Sequence, residues 1–429
     1  MHVLRGSDKN YAWGTSDRIP TLLGEAPTAK PFAEYWLGAH PAGPATVDGI
    51  GLDEVIAADP SVLGECSRAE FGDRLPFLMK LLSAARALSL QVHPTAEQAR
   101  AGFQLENEAG IALGDPTRTY KDDWPKPEIM VALEPFEALY GFREPRRSAE
   151  ILRALGGPAA ARLADRLADR AVDLVAIMRT LLADGDPALV AELTSAAPAA
   201  STSPAEMAEG PGTADDPVAM EDPEVAQARD TAALLGQEYP GDPGIVVALL
   251  MNRLRLEPLE ALFVPAGVMH AYLSGTGVEV MASSDNVLRG GLTPKHIDLD
   301  GLTEVVDPRP SAPVRVTLES IGDGVGRYVT PAPHFALWRI DAAPGARLLP
   351  VTDSPRIFLT VRGGAVLTVR DDAGPTVRDD AGLTVRDSAG LTGAAGTVRL
   401  ESGEAVLLAA GEAVEVVTDG LGFMTSVAP

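Results

Sequence analysis

Ala87-Leu88-Ser89-Leu90-Gln91-Val92-His93-Pro94 alternates polar and apolar side chains. As an extended strand it puts Ser89, Gln91 and His93 on one face and leucine and valine on the other. A half-buried strand ordinarily turns its polar face to solvent, so the segment gains meaning only from others like it. In Pro125-Lys126-Pro127-Glu128-Ile129-Met130-Val131-Ala132-Leu133 the same alternation aims Lys126 and Glu128 in one direction, directly before an apolar run suited to a buried strand. A charged pair entering a core needs a partner. In Val264-Pro265-Ala266-Gly267-Val268-Met269-His270-Ala271-Tyr272 a Pro-Gly turn leads to a histidine inside apolar text, which taken alone also reads as a satisfied core histidine. Together the three segments offer two imidazoles, one carboxylate and one amide oxygen. That donor set suits zinc or another borderline divalent ion, with a position left open for water or substrate.

Working outward, Gly277-Val278-Glu279-Val280-Met281 places Glu279 between valines, and Asn286-Val287-Leu288-Arg289-Gly290-Gly291 places Arg289 before a double glycine. Arginine beside glycines can present its guanidinium to a ligand oxyanion with little obstruction, although a surface arginine at a turn has the same signature. Lys80, in Leu75-Pro76-Phe77-Leu78-Met79-Lys80-Leu81-Leu82, is closely flanked by apolar residues and either snorkels or serves a site.

From Pro31 to about Arg143 short apolar segments separated by Gly and Pro predict strands, with helical stretches such as Ala96 to Asn107 between them. Between about Arg146 and Arg255 the period lengthens. Ala149 to Leu155, Ala159 to Leu182 and Pro223 to Leu235 carry apolar residues at three- and four-residue spacing, which predicts helices. Asp222-Pro223 and Asp242-Pro243 have the composition of an N-cap followed by a first helical proline. Ala196 to Asp222, rich in Pro, Ala, Ser and acid, is read as a mobile loop. Strand-like text returns at Ala261 to Pro265 and from Val314 onward, so the helical block is an insertion between β-rich parts. The units expected are 1–145 with 257–325, a metal-binding β domain; 146–256, a helical insertion; and 326–429, a second β domain. An eight-residue unit repeats at 367–390 and is read as a slippage expansion within a hairpin.

Composition narrows the function. A length of 429 residues suggests about three compact units. Cys66, the single cysteine, excludes an intrachain disulfide and a thiolate cluster, so any metal is held by nitrogen and oxygen. A net charge of −24 argues against nucleic-acid and anionic-membrane partners, since both are polyanions. An anionic ligand therefore needs a local basic pocket. With no signal-peptide pattern and no apolar run of membrane-spanning length, a cytoplasmic location is expected.

Tyr11-Ala12-Trp13-Gly14, Glu34-Tyr35-Trp36-Leu37-Gly38-Ala39-His40-Pro41, Leu75 to Leu82, Ser89 to Pro94, Lys126 to Glu128, His270 to Gly275 and Ser284 to Lys295 resemble, in order, the type I mannose-6-phosphate isomerase family. The resemblance covers the chain to about residue 300; the last third matches loosely and the octapeptide repeat has no counterpart. It implies a mainly β fold with α, a cupin-type double jelly roll with an inserted helical domain. It implies one zinc ion per chain, held by Gln91, His93, Glu128 and His270, and a phosphorylated hexose as substrate of an enzyme expected to be monomeric. Arg289 and Lys126 are implied in catalysis, with Ser89, Lys80, Lys295, Tyr272 and Trp13 around the phosphate or sugar.

Aldose–ketose interconversion moves a proton between C2 and C1 through an enediol, so the site must polarise a carbonyl and stabilise an oxyanion. Arg289 is expected to stabilise the enediolate and Lys126 to assist ring opening or proton movement. Glu279 is the expected general base, because burial between valines raises a carboxyl pKa; Lys126, Asp285 or a hydroxide at the open metal position are the alternatives. A non-catalytic metal-binding cupin that binds sugars or regulates is the competing class, and Arg289 with Lys126 argues against it, since a binder has no need of that pair. An iron-dependent cupin oxygenase shares part of the ligand set.

Overall fold

The computed structural model describes residues 1–195, 221–370 and 396–428. The proposed mobile loop, apart from its last two residues, and the octapeptide repeat from residue 371 lie outside them.

Strand His270–Ala282 is the hub of an eleven-stranded antiparallel sheet. Its C-terminal part pairs with Phe77–Ala84 on one side and Glu128–Ala132 on the other. Its N-terminal part pairs instead with Phe136–Phe142 and, at His270, with Gln91. The change of partners occurs at Gly275, whose φ is +118°, and where a Cβ would meet the Phe136 Cα at 2.8 Å. Only glycine fits there. The bend curls the sheet so that alternate residues face an enclosed interior: Lys80 and Glu279 point inward, while Met79, Leu81, Val278 and Val280 point outward into an apolar layer.

Across that layer lies a second barrel, a nine-stranded sheet facing a four-stranded one. Ile357, Leu359, Val361 and Phe423 of the nine-stranded sheet meet the outward residues of the first barrel. Strand His2–Arg5 pairs with Ala405–Leu408 and Thr46–Val47, so the start of the chain is woven into the sheet formed by its last third. The fold is mixed β and α, two jelly-roll barrels with a helical insertion.

The helices between Pro145 and Leu249 pack on an apolar cluster that also holds Leu90, Val92, Met269, Ala271 and Leu288, which backs the Gln91 edge of the first barrel. They leave and rejoin the sheet through paired strands, Phe136–Phe142 and Met251–Leu256. Met251–Leu256, assigned above to the helical insertion, is therefore a sheet strand. The stretch Ala159 to Leu182 is two helices, Pro158–Ala168 and Leu174–Asp184, the second capped by Asp173 accepting from the Ala176 N–H. Asp222 caps Pro223–Glu238 as expected. The next helix begins at Gly244 with Pro243 in the cap position, and Asp242 accepts from the Gly244 N–H. Among the described residues no helix is long and apolar enough to cross a membrane.

Candidate metal centre and active site

Of the segment quoted first, only Gln91–Val92 is strand. Two residues suffice, because this short strand lies between His270 and Arg289: Gln91 is directly opposite His270 on one side and Arg289 on the other. His93 follows at full burial, and Glu128 opens its own strand at 3% exposure.

His93 Nε2 lies 3.2 Å from one Glu128 oxygen and His270 Nε2 3.3 Å from the other. Each ring's Nδ1 faces a backbone carbonyl, that of Asn286 at 2.8 Å and that of Val268 at 3.1 Å. A carbonyl can only accept, so Nδ1 carries a proton in both rings, and in the neutral tautomer this leaves Nε2 as a lone pair able to bind a cation. Burial holds the His93 pKa down to about 4, so protonation of the ring does not relieve the contact at neutral pH. His93 Nε2 is also buried without a hydrogen-bond partner. Two imidazole Nε2 atoms and a carboxylate converging in a buried interior form a set that could hold a metal ion. Donors 3.2 and 3.3 Å apart suit an ion bound at about 2.0–2.1 Å to each. The donor chemistry fits zinc, and the Gln91 side chain lines the same cavity of about 50 Å³.

The surrounding charges are paired in the interior. Lys126 Nζ is 3.1 Å from Glu128 Oε1. Burial opposes the charge on Glu128, but the Lys126 ammonium holds its carboxyl well below the usual range. Lys80 Nζ sits between Glu279 Oε2 at 3.0 Å and Glu34 Oε1 at 3.3 Å. Burial alone would lower the Lys80 pKa, but Glu279, Glu34 and Glu128 outweigh it and hold the ammonium charged. Glu279 is raised, mainly by burial and less by Glu128 and Glu34, against the opposing pull of Lys80. Burial, with Glu279 and Glu128 beside it, also raises Tyr272, whose hydroxyl donates to Glu128 Oε2 at 3.5 Å.

Lys80, expected around the phosphate or sugar, lines the metal cavity and is paired there with Glu279 and Glu34. Asp285 does not line the metal cavity; it accepts from His40 Nε2 at 3.4 Å and lines a neighbouring cavity of about 600 Å³. Burial would raise its pKa, but the hydrogen bond and charge of His40 hold it lowered. Ser89 is half-buried beside Gln91, and Trp13 is half-buried and stacked on Tyr11 at 5.7 Å. Arg289 is half-buried, and burial lowers its pKa without removing the charge. Lys295 is lowered by burial and then by Arg289, so two cations adjoin with no acid among the described residues acting on either. The double glycine after Arg289 has a packing cause: at Gly291, φ +118°, a Cβ would meet the Gly244 Cα of the helical insertion at 2.5 Å.

The sequence reading missed Glu34. It accepts from the Trp36 indole N–H at 3.0 Å as well as from Lys80, and lines the metal cavity. A lone carboxylate in the apolar run Phe32-Ala33-Glu34-Tyr35-Trp36-Leu37 is the signal that could have found it.

A jelly-roll barrel holding a buried two-histidine, one-carboxylate cation site is a cupin-type metalloprotein. Residues 1–145 match the family model described as phosphomannose isomerase type I, catalytic domain. The mannose-6-phosphate isomerase of Escherichia coli K12 is 38% identical over 312 residues, covering 70% of this chain and 73% of that protein. The chain belongs to the type I phosphomannose isomerase family. The mannose-6-phosphate isomerase of Rattus norvegicus is 32% identical over 391 residues, covering 83% of this chain and 86% of its own. A crystal structure of mannose 6-phosphate isomerase bound with zinc and yttrium superposes with a TM-score of 0.79 at 31% identity, covering 100% of both chains. The apo form from Salmonella typhimurium gives a TM-score of 0.79 at 30% identity, covering 100% of this chain and 99% of that one.

Proposed function

We propose that this chain interconverts mannose 6-phosphate and fructose 6-phosphate through an enediol, as a zinc-dependent aldose–ketose isomerase with one zinc ion per chain. The observation that carries the reading is the pair of imidazole Nε2 atoms facing the two oxygens of Glu128 beside the Lys126 ammonium. Gln91, His93, Glu128 and His270 would hold the ion, and when bound it supplies a Lewis acid for the sugar oxygens.

Arg289 stabilises the enediolate oxygen: its guanidinium is half-buried, free of any carboxylate among the described residues, and one strand away from the ligand strand. Lys126 moves the proton that ring opening requires. Glu279 takes the proton from carbon in preference to Asp285, because it lines the metal cavity and its pKa is raised, whereas Asp285 lies outside and is lowered. Lys295, with Ser89, meets the phosphate, a local reversal of an acidic surface. Tyr272 and Trp13 border the sugar. All of these residues come from one chain, and we take the enzyme to be a cytoplasmic monomer divided into a metal-bearing barrel, a helical insertion and a C-terminal barrel.

The test is direct. Zinc-loaded protein mixed with fructose 6-phosphate should yield mannose 6-phosphate, and His270→Ala should abolish both zinc retention and turnover. A protein that retains zinc at one ion per chain and forms no mannose 6-phosphate would be a binding cupin.

A further inference from the structure

Asn286 lies in the irregular segment between strands His270–Ala282 and Leu288–Arg289, with 0% exposure. Its side chain is fully committed. Oδ1 accepts from the Lys121 N–H at 2.7 Å and the Asp122 N–H at 3.3 Å. Nδ2 donates to the Asp122 carbonyl at 2.8 Å, to Asp122 Oδ1 at 3.2 Å and to the Trp124 carbonyl at 2.8 Å. Its own N–H donates to Ser284 Oγ, and Ser284 Oγ donates in turn to the Trp124 carbonyl, each at 3.2 Å. An amide alone supplies donors and an acceptor on one planar group, so neither aspartate nor leucine could make this set. The mechanism above uses none of these contacts.

Two facts connect this clamp to the metal centre. The Asn286 carbonyl is the group that accepts from His93 Nδ1, a contact between residues 193 positions apart. The segment gripped by the side chain, 121–124, runs directly into Lys126 and Glu128. His270, by contrast, takes its acceptor from Val268, two residues away, and its orientation is local. We propose that Asn286 is a positioning residue for the metal centre, its buried amide fixing the peptide whose carbonyl sets the tautomer and ring angle of His93, and the loop that delivers Glu128. The inference rests on the reading of His93, Glu128 and His270 as the zinc site. A group that orients a ligand in this way typically controls metal affinity by about 10- to 100-fold.

The experiment measures zinc affinity of metal-stripped protein by competition with a chromophoric chelator, for wild type, Asn286→Asp and Asn286→Ala, together with the visible spectrum of each cobalt-substituted form. The expected result is zinc binding about 10- to 100-fold weaker in Asn286→Asp, with displaced cobalt bands, in a protein whose metal-free far-ultraviolet circular dichroism matches wild type. A folded variant with wild-type zinc affinity and an unchanged cobalt spectrum overturns the proposal, even if its melting temperature has dropped. If neither variant folds, nitrogen-15 NMR of histidine-labelled, metal-free wild type decides. A His93 proton on Nδ1 that exchanges slowly supports the proposal, and a proton on Nε2 overturns it. A wild type that binds no zinc refutes the metal reading itself and takes this inference with it.

Discussion

The two barrels share an architecture and differ in what they enclose. In the first, the cross-strand pair Lys80 and Glu279 faces inward at 5% and 2% exposure. In the second, the corresponding kind of pair is Phe358 and Met424, both at 0%. Among the described residues the second interior is filled by Trp338, Ile340, Leu367 and Val406. Filling a barrel with apolar side chains stabilises it and leaves it chemically inert. Filling it with charges costs desolvation at every group, tolerable only where each charge has a partner. The first barrel meets that condition with alternating signs, Glu34, Lys80, Glu279, and then Glu128 between Lys126 and the cation.

The contrast predicts that losses of similar size appear in different observables. His270→Ala removes a cation ligand and should lower kcat by about 10³-fold or more, since a Lewis acid contributes several kcal/mol at the transition state. Phe358→Ala should instead cost about 3–5 kcal/mol of unfolding free energy, with kcat and KM unchanged well below the melting temperature. Kinetics and denaturant titration on both variants check this. A changed KM in Phe358→Ala would mean that the second barrel takes part in the site.

Lys80→Met leaves Glu34 and Glu279 together in a dry interior without their shared cation. Denaturant unfolding should show a loss of about 3–5 kcal/mol, and adding Glu279→Met should recover part of the stability but none of the activity. Equal stability in wild type and Lys80→Met would show that the interior is wetter than its burial indicates.

The apolar layer between the barrels has its own polar intruder. His334 is 7% exposed, packs on Phe71 at 5.2 Å and Trp124 at 5.8 Å, and its Nδ1 has no hydrogen-bond partner. Burial lowers its pKa from 6.5 to about 4. The unfolded chain therefore binds the proton at higher pH than the folded one does. The stability associated with neutral His334 is complete above pH 6.5, falls as pH drops toward 4 and is lost below that. The loss amounts to about 3 kcal/mol. His334→Phe, which needs no proton and suits the aromatic surroundings, should flatten that part of the acid limb in a zinc-loaded sample. Parallel pH–stability curves for the two proteins would sink the assignment.

The same division explains what the sequence disclosed. Strand alternation, the helical block and the convergent ligand segments were legible because each depends on spacing within one segment, and the order of motifs tied them to a family. Glu34 was missed, and the ion pairing of Lys80 was not foreseen, because the fate of a buried charge depends on which strand lies alongside it. Register between Glu34, Lys80 and Glu279 is set across residues far apart in the chain. The double glycine was legible as a constraint, but its cause, the approach of Gly244, belongs to the tertiary structure.

Lys295 sharpens the contrast at the smallest scale, because it is the cation of the proposed site that stands outside the barrel. It is exposed, adjoins Arg289, and has no acid among the described residues acting on it. Its contribution to substrate binding should be that of one charge-assisted hydrogen bond, about 1.5 kcal/mol, so Lys295→Ala should raise KM for the sugar phosphate by about tenfold. The effect on kcat should be smaller, because the phosphate is bound equally in the ground and transition states. Being exposed, the interaction is screened, and the difference between variant and wild type should shrink in 1 M salt, where the Debye length is about 3 Å. A Lys295→Ala variant with unchanged KM at low salt would move the phosphate to Arg289 and Ser89 alone. A loss confined to kcat would instead place Lys295 at the reacting carbons, and the separation between an interior that does chemistry and a rim that holds the phosphate would no longer stand.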